Sequence, residues 1–215
     1  MDTKIFVSVG KTSTPEQEDF VRAVEDRLRA EGLMPHTVGR NTFSSDAPLL
    51  KVKELMTQCT GAAVIALERK YFPSGVERRG SAAASELRDV VLPTPWNQIE
   101  AAMAYCHGHP LLVIVEEGLR DEGLLERGND WFVQRVRLTP SALSTPEFNG
   151  VLASWKDKIL NRTSKDKLKG SGDLSQLTLG QLVLGLKPSQ LWGLLAALAA
   201  LIAGSFSLGA KFFVG

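Results

Sequence analysis

Thr94-Pro95-Trp96-Asn97-Gln98-Ile99-Glu100-Ala101-Ala102-Met103-Ala104-Tyr105-Cys106-His107 is the stretch whose reading decides the fold. Thr94 suits a helix N-cap and Pro95 the first helical position, so a helix starts here. Ile99, Ala102, Met103 and Cys106 recur at helical spacing and read as its buried stripe. Glu100 lies beside that stripe, one turn after Trp96. His109-Pro110 ends the helix, and Leu111-Leu112-Val113-Ile114-Val115 reads as a fully buried strand. A helix that feeds such a strand belongs to a parallel sheet, and a carboxylate in its first two turns stands near the crevice where these sheets bind ligands.

The same alternation extends outward in both directions. Lys4 to Gly10 is an apolar, β-branched run closed by glycine, a first strand. Thr14-Pro15, with Glu16 and Glu18 following, opens a helix whose inner stripe is Phe20, Val21, Val24 and Leu28. Met34 to Val38 is a short second strand. The polar loop Gly39 to Ala47 carries one phenylalanine, Phe43, and leads to a helix from Pro48 through Leu49, Val52, Leu55, Met56 and Cys59. Ala62 to Leu67 is a third strand, and Trp131 to Leu138 a last one. Phe148, Val151, Leu152, Trp155 and Ile159 mark a final helix. The pattern predicts an α/β fold, an open and mainly parallel five-stranded sheet flanked by helices, over residues 1–160. A long insertion, Glu68 to Pro93, interrupts it and has the length of a functional loop or a disordered one.

Charge and composition exclude several classes. With 25 Lys+Arg against 24 Asp+Glu, the chain has no electrostatic footprint for nucleic acid. Cys59 and Cys106 fall in predicted helices and are expected as reduced, buried thiols. His36, His107 and His109 form no metal-ligand spacing, so no metal is expected. Beyond residue 160 the composition shifts. Residues 161–173, with Arg162, Lys165, Lys167 and Lys169, read as a basic flexible linker, and 174–187 as a leucine-rich amphipathic segment. Residues 188–210 contain no charged side chain. A bilayer-spanning helix needs about 20 apolar residues, so this stretch is expected to be a transmembrane helix. Basic residues lie before it, and only Lys211 after it. The expectation is a single-pass, tail-anchored protein of the cell inner membrane with its N-terminal domain in the cytoplasm. Small residues in the stretch permit self-association within the bilayer.

With these elements placed, Lys4-Ile5-Phe6-Val7-Ser8, the loop from Gly39 to Pro48, and Trp96-Asn97-Gln98-Ile99-Glu100 together resemble a bacterial Toll/interleukin-1 receptor (TIR) domain. The family's tryptophan followed four positions later by glutamate is matched by Trp96 and Glu100. The sequence departs from the family at Val9, at Pro95 and in the length of the 68–93 insertion. A more distant similarity is to nucleoside 2-deoxyribosyltransferases, which also carry a glutamate early in a helix followed by small residues such as Ala101, Ala102 and Ala104.

Both families work at the anomeric carbon of a ribose. Cleaving a ribose–nitrogen bond builds positive charge on the sugar, which a nearby carboxylate stabilises or captures. Glu100 is the candidate catalytic residue. Trp96 is the candidate pocket wall, Ser8 on the first strand is a candidate binding residue, and Gly10 and Lys11 begin the loop that opens onto a helix N-terminus. Lys11 or Arg40 is placed to meet a pyrophosphate, and Phe43 to stack on a base or face a neighbouring subunit. Each residue also has a plainer reading: Glu100 suits the helix dipole, Trp96 a rim, and Arg40 solvent. The resemblance implies a defence effector that hydrolyses the nicotinamide–ribose bond of NAD on self-association, with NAD as substrate and no cofactor, and the uncharged stretch adds the membrane anchor to that expectation. The implied partners are further copies of the chain, the lipid bilayer and a nucleotide-type small molecule, and no nucleic acid. The alternatives are a non-enzymatic oligomerisation or nucleotide-sensing module whose tail disrupts the membrane, and a deoxyribosyltransferase-like enzyme.

Overall fold

The computed structural model describes residues 3–45 and 47–170, with side chains through Arg162. Five strands form one sheet: β1 (Thr3–Val9), β2 (Leu33–His36), β3 (Gly61–Ala66), β6 (Leu111–Glu116) and β7 (Val133–Val136). Their order is β2-β1-β3-β6-β7, and every neighbouring pair is parallel. Counting sheet strands alone, this is the 2-1-3-4-5 order, whose direction of winding reverses between its first and third strands. Four helices cover the sheet: α1 (Pro15–Ala30), α2 (Pro48–Gln58), α3 (Pro95–Cys106) and α4 (Pro146–Gly170). The α/β architecture expected from the sequence is therefore present.

Alternation along the strands builds two cores. Ile5, Val7, Ala63, Ile65, Leu112 and Ile114 face one side and pack with Phe20, Val24 and Leu28 of α1 and Phe148, Leu152 and Ile159 of α4. Phe6, Ala62, Val64, Ala66, Val113 and Val115 face the other side and pack with Val52, Leu55 and Met56 of α2 and Ala101 and Ala104 of α3. All four helices begin with proline at the first turn, where its missing N–H costs no hydrogen bond. Thr14 and Thr94 each add a side-chain cap.

Four expectations change. The buried face of α3 is not Ile99, Ala102, Met103 and Cys106; it is Asn97, Ala101 and Ala104, and Ile99 is 43% exposed. The small residues win because α3 lies close on β1 and β3, where Ala62, Val64 and Ala66 leave room for methyl groups and little more. Cys106 is consequently exposed, whereas Cys59 is buried and desolvation pushes its thiol up to about 12. Leu49, read as part of the α2 stripe, is exposed as well. The segment from 161, read as a linker, is a continuation of α4 as far as Gly170.

The 68–93 insertion is a β-hairpin. Strands β4 (Lys70–Glu77) and β5 (Ser85–Leu92) pair antiparallel in a sheet of their own. Arg78, Gly80 and Asp89 take positive φ, and Tyr71 Oη donates to Asp89 Oδ1 at 2.5 Å. Backbone bonds from Arg69 N–H to Leu92 O and from Arg120 N–H to Val91 O fix the hairpin's base.

Among the described residues, no helix is long and apolar enough to cross a membrane. The stretches 174–187 and 188–210, with the transmembrane and anchoring expectations attached to them, lie outside the described residues.

Candidate active site

The C-terminal end of β1 and the residues after it, the loop after β2, the first two turns of α2, Arg69 at the base of the hairpin and the first two turns of α3 enclose a cleft of about 310 Å³. Its walls are Val9, Val38, Pro48, Val52 and Trp96, and its polar side chains are Lys11, Arg69, Thr94 and Glu100. A second lobe of about 460 Å³ shares Val9, Gly10, Lys11 and Val38 and extends past Thr12, Thr37 and Gly39 to Arg40. This is the crevice beside the switch between β1 and β3, where open parallel sheets take their ligands.

Glu100 is the single carboxylate among the described residues lining either lobe. It sits on the sheet-facing side of α3, one turn after Asn97. Burial pushes its carboxyl up to about 7, and a hydrogen bond with the Ser8 side chain works in the opposite direction. Ser8 is itself buried on β1. The Asn97 amide donates from Nδ2 to Ser8 Oγ at 3.1 Å, to Ile65 O at 3.3 Å and to Ser8 O at 3.4 Å. With its oxygen already accepting from Asn97, the Ser8 hydroxyl has its proton free to donate to Glu100. Asn97 thus ties α3 to both central strands and orients the group that meets the acid.

Ser8→Ala should move the pH at which Glu100 ionises upward. The bond that holds the Glu100 carboxyl down is gone in this variant, while the burial that raises it remains. A pH–rate profile that rises as Glu100 ionises should shift its rising limb to higher pH, with little change in the plateau.

Gly10 brings the two sides of the cleft together. A Cβ at this position would stand 3.0 Å from Thr94 Cγ2, so the end of β1 and the cap of α3 approach closely because no side chain intervenes.

Of the other sequence candidates, Gly10, Lys11 and Trp96 meet Glu100 at the cleft, and Phe43 does not. Trp96, 43% exposed, forms the rim of the cleft, and Lys11 lines both lobes. Phe43 is 76% exposed and lines neither lobe. Arg40 borders the second lobe with its guanidinium committed to carboxylates: Nη1 and Nη2 bond the two Glu18 oxygens at 2.9 Å, and Nε bonds Glu25 Oε1 at 2.8 Å. The α1 N-terminus is similarly occupied. Thr14 Oγ1 accepts from Gln17 N–H, Gln17 Oε1 accepts from Ser13 N–H, and Thr12 Oγ1 donates to Glu18. Two acids in the first turn, Glu16 and Glu18, further oppose a bound phosphate there.

Arg40 instead has a structural task with a measurable signature. Its fork, with the hydroxyl of Thr12, holds the Glu18 carboxyl down at about 2. A carboxylate lowered on folding stabilises the protein above its unfolded pKa, and that contribution fades as pH falls through about 2. Arg40→Met also leaves the buried Glu25 with only the 3.6 Å contact to Arg29. The expected cost at pH 7 is about 2 kcal/mol in urea unfolding, and the gap from wild type should narrow steadily towards pH 2.

Sequence reasoning passed over Asn97 and Arg69. Asn97 gave no apolar signal, and Arg69 lay in the insertion. Among the described residues no group of His, Cys, Asp and Glu could hold a metal ion. Comparisons with protein-family models and with curated proteins return no match. Among solved structures, the chain is similar to a CMP N-glycosidase of Clostridium botulinum, with 14% identity, a TM-score of 0.38, and coverage of 65% of this chain and 93% of that one.

Proposed function

We propose that the chain is an N-glycosidic bond hydrolase acting on a nucleotide, and specifically that it cleaves the nicotinamide–ribose bond of NAD. The observation that carries this reading is a partly buried, desolvated carboxylate, Glu100, inside the crevice at the β1/β3 switch and the single one among the described residues lining it. With its carboxyl at about 7, Glu100 is partly ionised at neutral pH. In the ionised form it faces the ribose C1′. As the C1′–N bond breaks, its electron pair leaves with nicotinamide, which departs neutral and needs no acid. The charge left on the sugar is stabilised, or captured, by the Glu100 oxygen. Water then adds to C1′, displacing the Glu100 oxygen wherever a bond to it has formed and restoring the carboxylate, and releases a proton, giving nicotinamide and ADP-ribose. Trp96 at the rim and the apolar wall of Val38, Pro48 and Val52 suit a flat ring and exclude water.

The TIR-like sequence features support the same reading, and with it the finer proposal of a defence effector active on self-association. The uncharged stretch 188–210 supports a membrane anchor that concentrates copies of the domain. The deciding experiment incubates the full-length chain with NAD and follows nicotinamide and ADP-ribose. Release by wild type and its loss in Glu100→Gln support the proposal; an unchanged NAD pool overturns it.

A further inference from the structure

Two cations at the cleft differ from Arg40 in one respect. Arg40 holds Glu18 and Glu25. Lys11 and Arg69 also line the cleft, and among the described residues neither makes an ion pair with a carboxylate. Both charges border the cleft, and among the described residues no carboxylate is salt-bridged to either.

Arg69 is held in place from several directions. Its Nη1 donates to Ser13 Oγ at 3.1 Å and to Lys11 O at 3.4 Å, so the guanidinium lies against the β1–α1 loop. Its backbone N–H donates to Leu92 O at the hairpin base. The residue just before it is held at both of its backbone polar groups. Glu68 N–H donates to Glu116 Oε2 at 2.7 Å, and Gln17 Nε2 donates to Glu68 O at 3.0 Å. Gln17 is buried, and its own side-chain oxygen accepts from Ser13 N–H, so one residue fixes both Arg69's approach and the loop it touches. Neither Gln17 nor Glu116 lines the cleft.

We propose that Arg69, together with Lys11, binds the phosphate groups of the substrate, and that Gln17 and Glu116 are positioning residues that hold the Glu68 peptide so that Arg69 stays over the cleft. A guanidinium offers a planar fork to phosphate oxygens, and an ammonium beside it adds a second charge. The substrate class is then a nucleotide, with a nucleoside discriminated against. This rests on the function proposed above only for the position of the sugar.

The test is equilibrium binding to the full-length chain of ADP-ribose, which has no nicotinamide to lose, and of adenosine, which has no phosphate. Wild type should prefer ADP-ribose, and the preference should weaken as salt rises. Arg69→Ala should lower ADP-ribose affinity about tenfold to a hundredfold and leave adenosine unaffected. Glu116→Ala should lower the ADP-ribose preference severalfold, and Glu116→Gln, which keeps an acceptor for Glu68 N–H, should restore it. Equal or absent binding of the two probes, or an Arg69→Ala chain that keeps the preference, overturns the proposal. Arg69-dependent ADP-ribose binding in a chain that leaves NAD intact would remove the hydrolase reading and keep this one.

Discussion

Glu100→Gln should abolish NAD cleavage and, at alkaline pH, make the protein more stable. The catalytic half of this expectation comes from charge. A glutamine keeps the shape and hydrogen-bonding reach of the side chain, yet offers the developing cation only a dipole. Loss of about a thousandfold in rate is the scale for removing a preorganised electrostatic partner of that kind. The stability half comes from linkage. Folding raises the Glu100 carboxyl from the ordinary range to about 7, so the folded state binds its proton more tightly than the unfolded chain does. Stability therefore falls as pH rises from about 4.5 to about 7 and stays low above that. Glutamine has no charge to desolvate. At pH 8 the variant should gain on the order of 2–3 kcal/mol, or about 5–10 °C in Tm, and the gain should vanish near pH 4. Wild-type activity should rise with pH through about 7, because the ionised form acts. A rate that falls across that range would assign Glu100 the role of an acid and rule out a carboxylate that stabilises the sugar cation. Thermal melts at pH 4 and pH 8 check the second half without any substrate.

A side chain that destabilises the fold in the form proposed to work is the usual mark of a functional position. Only part of that was legible in the sequence. The strands of the five-stranded sheet and the helices were, because proline at the first turn and apolar runs of strand length are local signals: Thr14-Pro15, Thr94-Pro95 and Leu111 to Val115 each state their own structure. The facing of α3 was not. Hydrophobicity favours Ile99, Met103 and Cys106, whereas the sheet accepts only Ala101, Ala104 and a polar Asn97. That preference depends on Ala62, Val64 and Ala66 of β3, far away in the chain. Glu100 was singled out by its neighbours in sequence, and its burial follows from a facing that the pattern did not predict.

Long-range pairing hid the remaining residues. Arg40 looks like a free cation until Glu18 and Glu25, 22 and 15 positions earlier, are found against it. Arg69 looks like one of several basic residues in a loop until the hairpin closes beside it. The hairpin itself was masked by Pro73 and Gly75, which interrupt the β-branched and aromatic run of Tyr71, Phe72 and Val76. The cleft is thus made of local elements that the sequence announces and of cross-chain contacts that it does not.

Asn97→Ala should cost both stability and activity, and the two losses have separable causes. The buried amide donates to Ser8 and Ile65, joining α3 to β1 and β3. Truncation removes those bonds and leaves a small void under the helix, at an expected cost of about 2–3 kcal/mol in urea unfolding. Activity should drop about tenfold to a hundredfold at pH 7, because α3 carries Glu100 and small misplacements of a reacting group are costly. Stability loss alone would leave the pH dependence where it is. Here it should move, because the Ser8 hydroxyl loses the donor that oriented it and so weakens its bond to Glu100. The rising limb of the pH–rate profile should shift upward, in the same direction as in Ser8→Ala. Combining Ser8→Ala with Asn97→Ala should then add little further shift, since both act on one hydrogen bond. An unmoved profile in Asn97→Ala would show that Asn97 supports the helix and nothing more, and shifts that simply sum would show that it acts on Glu100 by a route other than Ser8.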